Sequence, residues 1–103
     1  MADYLADVKK YDATASQEVV DKIVKHLGIA LRNADAALVS CSDREELDRI
    51  KKGFIAKKLG ESDASKADSI LEKVCQAMSA DRTKARVTFY YLVAKHYGKL
   101  ASL

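Results

Sequence analysis

The stretch "DRTKARVTFYYLVAKHYGK", residues 81–99, decides the fold, because its apolar side chains would cover most of a helix. At about 100° per residue they span more than half of the helical circumference. They are Val87, Phe89, Tyr90, Tyr91, Val93, Ala94 and Tyr97. Polar side chains take the remaining arc: Lys84, Thr88, Lys95 and His96. A helix this apolar is typical of the centre of a small bundle, so we expect the tyrosine rings in the core.

Apolar residues also recur at helical spacing in the rest of the chain, with short polar connections between the segments. The predicted helices span residues 2–11, 15–27, 30–39, 42–59, 64–79 and 81–98. Three of them would end at glycines, namely Gly28, Gly60 and Gly98. Two would begin with capping boxes, Thr14 with Gln17 and Ser42 with Glu45.

Composition agrees with this helical pattern. The chain has 103 residues, four glycines and no proline, which disfavours a fold built from many tight β-turns. We therefore predict an all-α fold, a compact single-domain bundle of five or six short helices over residues 1–103, without strands.

Cysteine usage and hydropathy suggest a compartment. Cys41 and Cys75 lie far apart without C-x-x-C spacing, which predicts free thiols in a reducing environment. No apolar stretch approaches the roughly 18 residues of a membrane span, and the amino terminus does not resemble a signal peptide. We expect a cytoplasmic protein that needs neither a membrane nor a cofactor.

Positive charge is concentrated in two segments. The net charge is only +3 and the pI about 8.8, whereas nucleic-acid-binding domains usually have a pI above about 9. Residues 51–58 and 82–99 nevertheless carry a candidate patch for anions or nucleic acid. Its members are Arg82, Lys84, Arg86, Lys95, Lys99, Lys57 and Lys58, with Lys51 and Lys52 beside them. Such a patch would bind more weakly as salt rises.

Arg86 is the unusual member of this patch, because it projects from the apolar side one turn before Tyr90. An arginine there would lie along the ring or pair with a carboxylate from another helix. The carboxylates considered are Asp43, Glu45, Glu46 and Asp48. A structural clamp is the simpler interpretation, and an anion site is the alternative.

Other constellations predict less. Residues 22–38 have the rhythm of a helix-turn-helix but lack a polar cap after the turn, and a buried helix explains them more simply. Cys41 precedes the Ser42 cap, where a thiol can be activated, although a packed residue is the simpler interpretation. No histidine or cysteine pair has metal-ligand spacing. An enzyme would need a pocket that gathers Arg86, Tyr90 and His96, and no catalytic motif indicates one.

Three stretches together resemble a small family of short bacterial proteins catalogued as a domain of unknown function. They are "DYLADVKKY" at 3–11, "SCSDREELDRIKKGFIAKKLG" at 40–60 and "ADRTKARVTFYYLVAKHYGKL" at 80–100. The resemblance implies a compact all-α protein and no known activity. With no catalytic constellation present, we predict a non-catalytic binding or regulatory domain with a protein partner. Electrostatic binding of nucleic acid is the alternative.

Overall fold

The computed structural model describes residues 4–28, 38–61, 63–79, 84–98 and 100. Its elements, in chain order, are α1 (Tyr4–Lys9), α2 (Gln17–Leu27), β1 (Leu38–Val39), α3 (Arg44–Ile50), the π-helix π1 (Lys51–Lys58), α4 (Ala64–Ala77), β2 (Lys84–Ala85) and α5 (Arg86–His96). The predicted all-α class is confirmed, since helices make up all but two short strands of these elements.

Helix α5 is the centre of the molecule, as its apolar pattern predicts. Every residue from Val87 to Ala94 is buried, and the helix packs against α1, α2 and α4. The expectation that Thr88 lies on a polar arc is wrong, because its side chain is fully buried. Its hydroxyl donates a hydrogen bond to the Asp7 carboxylate of α1, which satisfies the polar group inside the core.

Polar caps begin three helices, and two of these caps lie one or two residues after the predicted ones. Ser16, rather than Thr14, accepts the capping hydrogen bond of α2. Asp43, rather than Ser42, caps α3 through the backbone N–H groups of Glu45 and Glu46. Asp63 caps α4 in the same way. Each cap is a short polar side chain on extended backbone, so the neighbouring residue of the same chemical type was an equally good sequence candidate.

The expectation of a chain without strands is wrong. β1 and β2 pair antiparallel, with Leu38 opposite Ala85 and Val39 opposite Lys84. The last helix therefore begins at Arg86 rather than near residue 81, and Leu38–Val39 do not belong to the predicted helix at 30–39. Among the described residues no side chain caps the start of α5, which directly follows the β1–β2 ladder. Residues 29–37 and 80–83, with most of the helix-turn-helix candidate, lie outside the described residues.

The predicted helix at 42–59 is present but changes its winding halfway. From Lys51 to Lys58 it is a π-helix, and the backbone N–H of Leu59 donates to the carbonyl of Phe54 over 3.1 Å. The two neighbours Phe54 and Ile55 both point into the core. Gly60, at φ 75°, follows directly after the helix, as predicted.

The expectation of free thiols is also wrong. Cys41 and Cys75 form a disulfide that joins the turn before α3 to the last turn of α4, across 34 residues of sequence. Their Cα atoms lie 5.9 Å apart. Sequence spacing carries no signal for such a pair, because only the folded chain brings the turn before α3 next to the last turn of α4.

Candidate functional site

A cavity of about 410 Å³ opens between the end of α2, the α3–π1 helix and α5. Aromatic rings form its floor and cationic side chains its rim. The residues that line it are His26, Leu27, Arg49, Gly53, Phe54, Lys57, Lys58 and Tyr90. Its volume lies within the usual range of small-ligand sites, roughly 300–1,000 Å³.

The floor of this basic cavity is a rigid aromatic cluster. The rings of Phe54 and Tyr90 lie 4.4 Å apart between centroids, and the His26 ring lies 5.5 Å from that of Phe54. Phe54 is 3% and Tyr90 8% exposed. Burial raises the pKa of Tyr90, so its hydroxyl stays protonated at neutral pH. The floor is therefore an apolar wall, as expected for core tyrosines, and offers no open face for stacking.

The rim carries positive charge that the described residues do not neutralise. Lys57 and Lys58 are exposed, and neither forms an ion pair with any carboxylate in the described part of the chain. Arg49 makes only long contacts, 3.8 Å to Glu45 and 3.9 Å to Glu46. Cations without close partners attract an anion at the least desolvation cost.

The pKa of His26 depends on this positive charge. Burial first, and then the charge of Lys58, lower the pKa of His26 below its ordinary value of 6.5. The imidazole is therefore neutral at pH 7 and offers one N–H donor and one acceptor to a ligand. An anion at the rim would offset the charge of Lys58 and raise this pKa again.

The π-helical winding creates half of the cavity wall. Gly53, Phe54, Lys57 and Lys58 all belong to π1. π-Helical segments are rare and often occur at functional sites. Gly53 has open space around its Cα, since an added Cβ would meet nothing within 4 Å apart from its chain neighbours.

The described members of the predicted basic patch have different surroundings. Lys57 and Lys58 lie at the cavity, whereas Lys95 pairs with Asp12 at 3.5 Å. Lys84 lies in β2, and Arg82 and Lys99 lie outside the described residues. The flanking lysines are also engaged, Lys51 with Asp48 and Asp68 and Lys52 with Asp48.

Arg86 is a structural clamp, which confirms the simpler interpretation. It pairs with Glu46 of α3, donates to the carbonyl of Leu38 over 3.3 Å and lies 5.8 Å from the centre of the Tyr90 ring. One guanidinium therefore joins α3, β1 and α5 just behind the cavity floor.

Sequence reasoning did not single out five members of the cavity, which are His26, Leu27, Arg49, Gly53 and Phe54. Each lies on an element other than α5 and joins the site only through packing. The available signal was weak: His26 stands just before the Gly28 helix end, and Phe54 follows a glycine inside a lysine-rich helix.

A second, larger cavity of about 890 Å³ lies between α3 and α4, and the disulfide forms part of its wall. Four acidic and two basic side chains line it: Glu45, Asp48, Asp68 and Glu72 with Arg44 and Lys51. Among the described residues, no group of three or more histidines, cysteines or carboxylates is placed to hold a metal ion.

Comparison with known proteins gives a family but no activity. Within the described ranges, no helix has the length and hydropathy required to cross a bilayer. No curated protein is significantly similar to the chain. The family described as "Protein of unknown function (DUF2853)" matches residues 3–101. The chain therefore belongs to the DUF2853 family, to which the three quoted stretches pointed.

Proposed function

We propose that this protein is a non-catalytic binding domain whose basic cavity holds a small phosphate-bearing ligand. One observation carries the proposal. Lys57 and Lys58 stand next to each other on a π-helix at the rim of a ligand-sized cavity, without a carboxylate partner in the described chain. A phosphate would supply the missing negative charge.

The shape of the cavity supports a ligand larger than a free ion. The cations line the rim and the largely buried rings of Phe54 and Tyr90 line the floor. A ligand with a phosphate at the rim and an apolar portion in van der Waals contact with the floor, without stacking on a ring face, therefore fits both. Arg49 can donate a forked pair of hydrogen bonds to phosphate oxygens, and the lysines act as mobile point charges.

The proposed absence of catalysis rests on the chemistry of the lining. Among the residues that the structure describes, the lining contains no serine, threonine, cysteine or carboxylate that could serve as a nucleophile or an acidic partner for His26. Tyr90 carries the one hydroxyl of this described lining, and it accepts from the Arg86 guanidinium at 3.5 Å. Retention of a ligand is the function that these groups support.

The same proposal places the protein in the bacterial cytoplasm, on the basis of its sequence resemblance to bacterial proteins. There the bound ligand would control the association of the domain with a protein partner. This role combines the binding function and the regulatory function that the sequence predicts as alternatives.

The test is an NMR titration with AMP and with inorganic phosphate at about 50 mM salt. We expect AMP to shift the resonances of π1 and α2 and to raise the pKa of His26, because the phosphate offsets the charge of Lys58. The double variant Lys57→Ala/Lys58→Ala should weaken binding at least tenfold, or about 1.4 kcal/mol.

The control variant is Lys66→Ala/Lys73→Ala, which removes the same charge from two exposed positions of α4 that do not line the cavity. Equal weakening in both double variants would mean that only net charge matters. The proposal would then fail, as it would if AMP left the His26 pKa unchanged.

Binding of single-stranded nucleic acid is the second candidate, and the same cationic rim favours it. The buried rings of Phe54 and Tyr90 provide no stacking surface, so such binding would rest on phosphate contacts alone. Anisotropy of a labelled oligonucleotide at about 50 and 200 mM salt tests this. Binding that is strong at low salt and lost at high salt, with no response to AMP, would favour nucleic acid over the small ligand.

A further inference from the structure

We propose that the Cys41–Cys75 disulfide is a reversible redox switch that a dithiol reductant opens while the protein remains folded. The bond joins the turn entering α3 to α4, away from the residues of the basic cavity. Its function is therefore separate from ligand binding at the α2–π1–α5 site.

Access is the first requirement, and the structure meets it. Both cysteines are only partly buried, and both line the cavity of about 890 Å³ between α3 and α4. A buried structural disulfide is screened from reductants by the surrounding core, whereas this one lies on the wall of an open concavity. A thiolate can reach either sulfur without prior unfolding.

The second requirement is a fold that persists without the bond. On the Cys41 side, β1 is held by its pairing with β2 and by the hydrogen bond from Arg86 to the Leu38 carbonyl. The Asp43 cap fixes the start of α3 independently. Only residues 40–42 then depend on the disulfide for their position.

On the other side, α4 is anchored by three buried side chains, those of Ala67, Leu71 and Val74, and by the buried Met78 that directly follows the helix. The ion pair between Lys51 and Asp68, 3.0 Å long, gives a second link to the preceding helix. Helix α4 therefore stays docked when the disulfide opens, and the change is confined to the turn at residues 40–42.

An external dithiol supplies the electrons and protons that reduce the disulfide. Its thiolate attacks one cysteine sulfur, the S–S bond breaks, and the other cysteine leaves as a thiolate. The second thiolate of the reductant then attacks the reductant's own sulfur in the mixed disulfide, which forms the reductant's internal disulfide and expels the remaining cysteine as a thiolate. The protein gains two electrons and two protons as Cys41 and Cys75 thiols, and the reductant becomes a disulfide. An oxidised dithiol drives the same steps in reverse.

The test is an equilibrium titration of the oxidised protein with reduced and oxidised dithiothreitol in native buffer. This neutral probe is chosen because acidic residues outnumber basic ones around the cavity and would repel an anionic thiol. Maleimide trapping and mass spectrometry count the free thiols. We expect two labels per chain after reduction, an unchanged helical circular dichroism spectrum and full re-oxidation by the oxidised dithiol.

Hydrogen exchange then locates the change. Reduction should accelerate amide exchange at residues 40–42 and leave α5 protected. The double variant Cys41→Ser/Cys75→Ser should reproduce the exchange pattern of the reduced protein, and it remains informative if the reduced form re-oxidises during handling. Labels that appear only in denaturant, or reduction accompanied by loss of helix, would overturn the switch and make the bond a permanent staple. Two labels in protein prepared under air without reductant would overturn it as well.

Discussion

At the scale of single residues, Arg86 shows how one charged side chain is made compatible with the core. Its side chain is 12% exposed and that of its partner Glu46 14% exposed. Replacing Arg86 with methionine leaves the Glu46 charge largely desolvated and the Leu38 carbonyl without its donor. We expect Arg86→Met to lower the free energy of unfolding by about 2–4 kcal/mol, measured by urea denaturation.

The matched control for this prediction is a double-mutant cycle with Glu46→Met. Removing both charges restores an apolar contact, so the double variant should be more stable than Arg86→Met alone. If the two single effects simply add, the pair is not coupled and Arg86 stabilises the protein through its stacking on Tyr90 instead.

Residue-scale prediction from sequence succeeded where the signal was local. A lone arginine on an apolar arc predicted the clamp, and Glu46 was among the carboxylates considered for it. The predicted caps of α2 and α3 lie one or two residues before the observed ones. For α3, Ser42 and Asp43 are equally suitable hydrogen-bond acceptors at the N-cap. The disulfide was missed because Cys41 and Cys75, 34 residues apart in the sequence, become neighbours only in the folded chain.

At the scale of elements, the π1 helix invites a test with its two nearest glycines. Gly53 lies inside π1 with ordinary backbone angles and open space around its Cα, whereas Gly60 follows the helix at φ 75°. We expect Gly53→Ala to raise the free energy of unfolding by about 0.4–1 kcal/mol, because alanine reduces the entropy of the unfolded chain.

Gly60→Ala is the matched comparison, with the same chemical change and the opposite expected sign. Its left-handed backbone is strained for any side chain, so stability should fall by about 1 kcal/mol. Urea denaturation of the two variants side by side decides the point. Destabilisation by Gly53→Ala would mean that the glycine itself is required for the π-helical winding.

Most helices were predictable from the sequence, but the features that form the basic cavity were not. Apolar periodicity identified α1, α2, α4, α5 and the combined α3–π1 segment, because the spacing of apolar residues within each segment shows which face of the helix is buried. The π-helical winding and the β1–β2 ladder depend on contacts that no local pattern encodes; Leu38 and Ala85 pair across nearly half of the chain. Lys57 and Lys58 were candidates by charge alone, whereas Arg49 and His26 joined them only through the packing of separate helices.

At the scale of the whole molecule, a polar network ties the first part of the chain to α5. Asp12, in the turn after α1, accepts hydrogen bonds from the Thr14 hydroxyl at 2.6 Å and the Tyr91 hydroxyl at 2.7 Å, and Lys95 lies 3.5 Å away. The Thr14 and Tyr91 hydrogen bonds hold the pKa of Asp12 far below its ordinary value of 3.8. Burial, and then the Asp12 carboxylate, raise the pKa of Tyr91 to about 12.

These two shifts predict loss of stability at both ends of the pH scale. The Asp12 contribution is complete above the unfolded pKa near 3.9 and declines as pH falls below it, because the unfolded chain takes up the proton first. The Tyr91 contribution is complete below about pH 10 and is lost as pH rises towards 12, because the unfolded tyrosine ionises first.

Asp12→Asn should therefore flatten the fall in unfolding free energy between about pH 4 and 2, and it should lower the Tyr91 pKa in an absorbance titration. Asp21→Asn, which removes an exposed carboxylate from α2, is the control and should preserve both dependences. If Asp12→Asn and the unmodified protein lose stability in parallel on acidification, the acid sensitivity arises elsewhere and the network contributes little to holding α5 against the first turn.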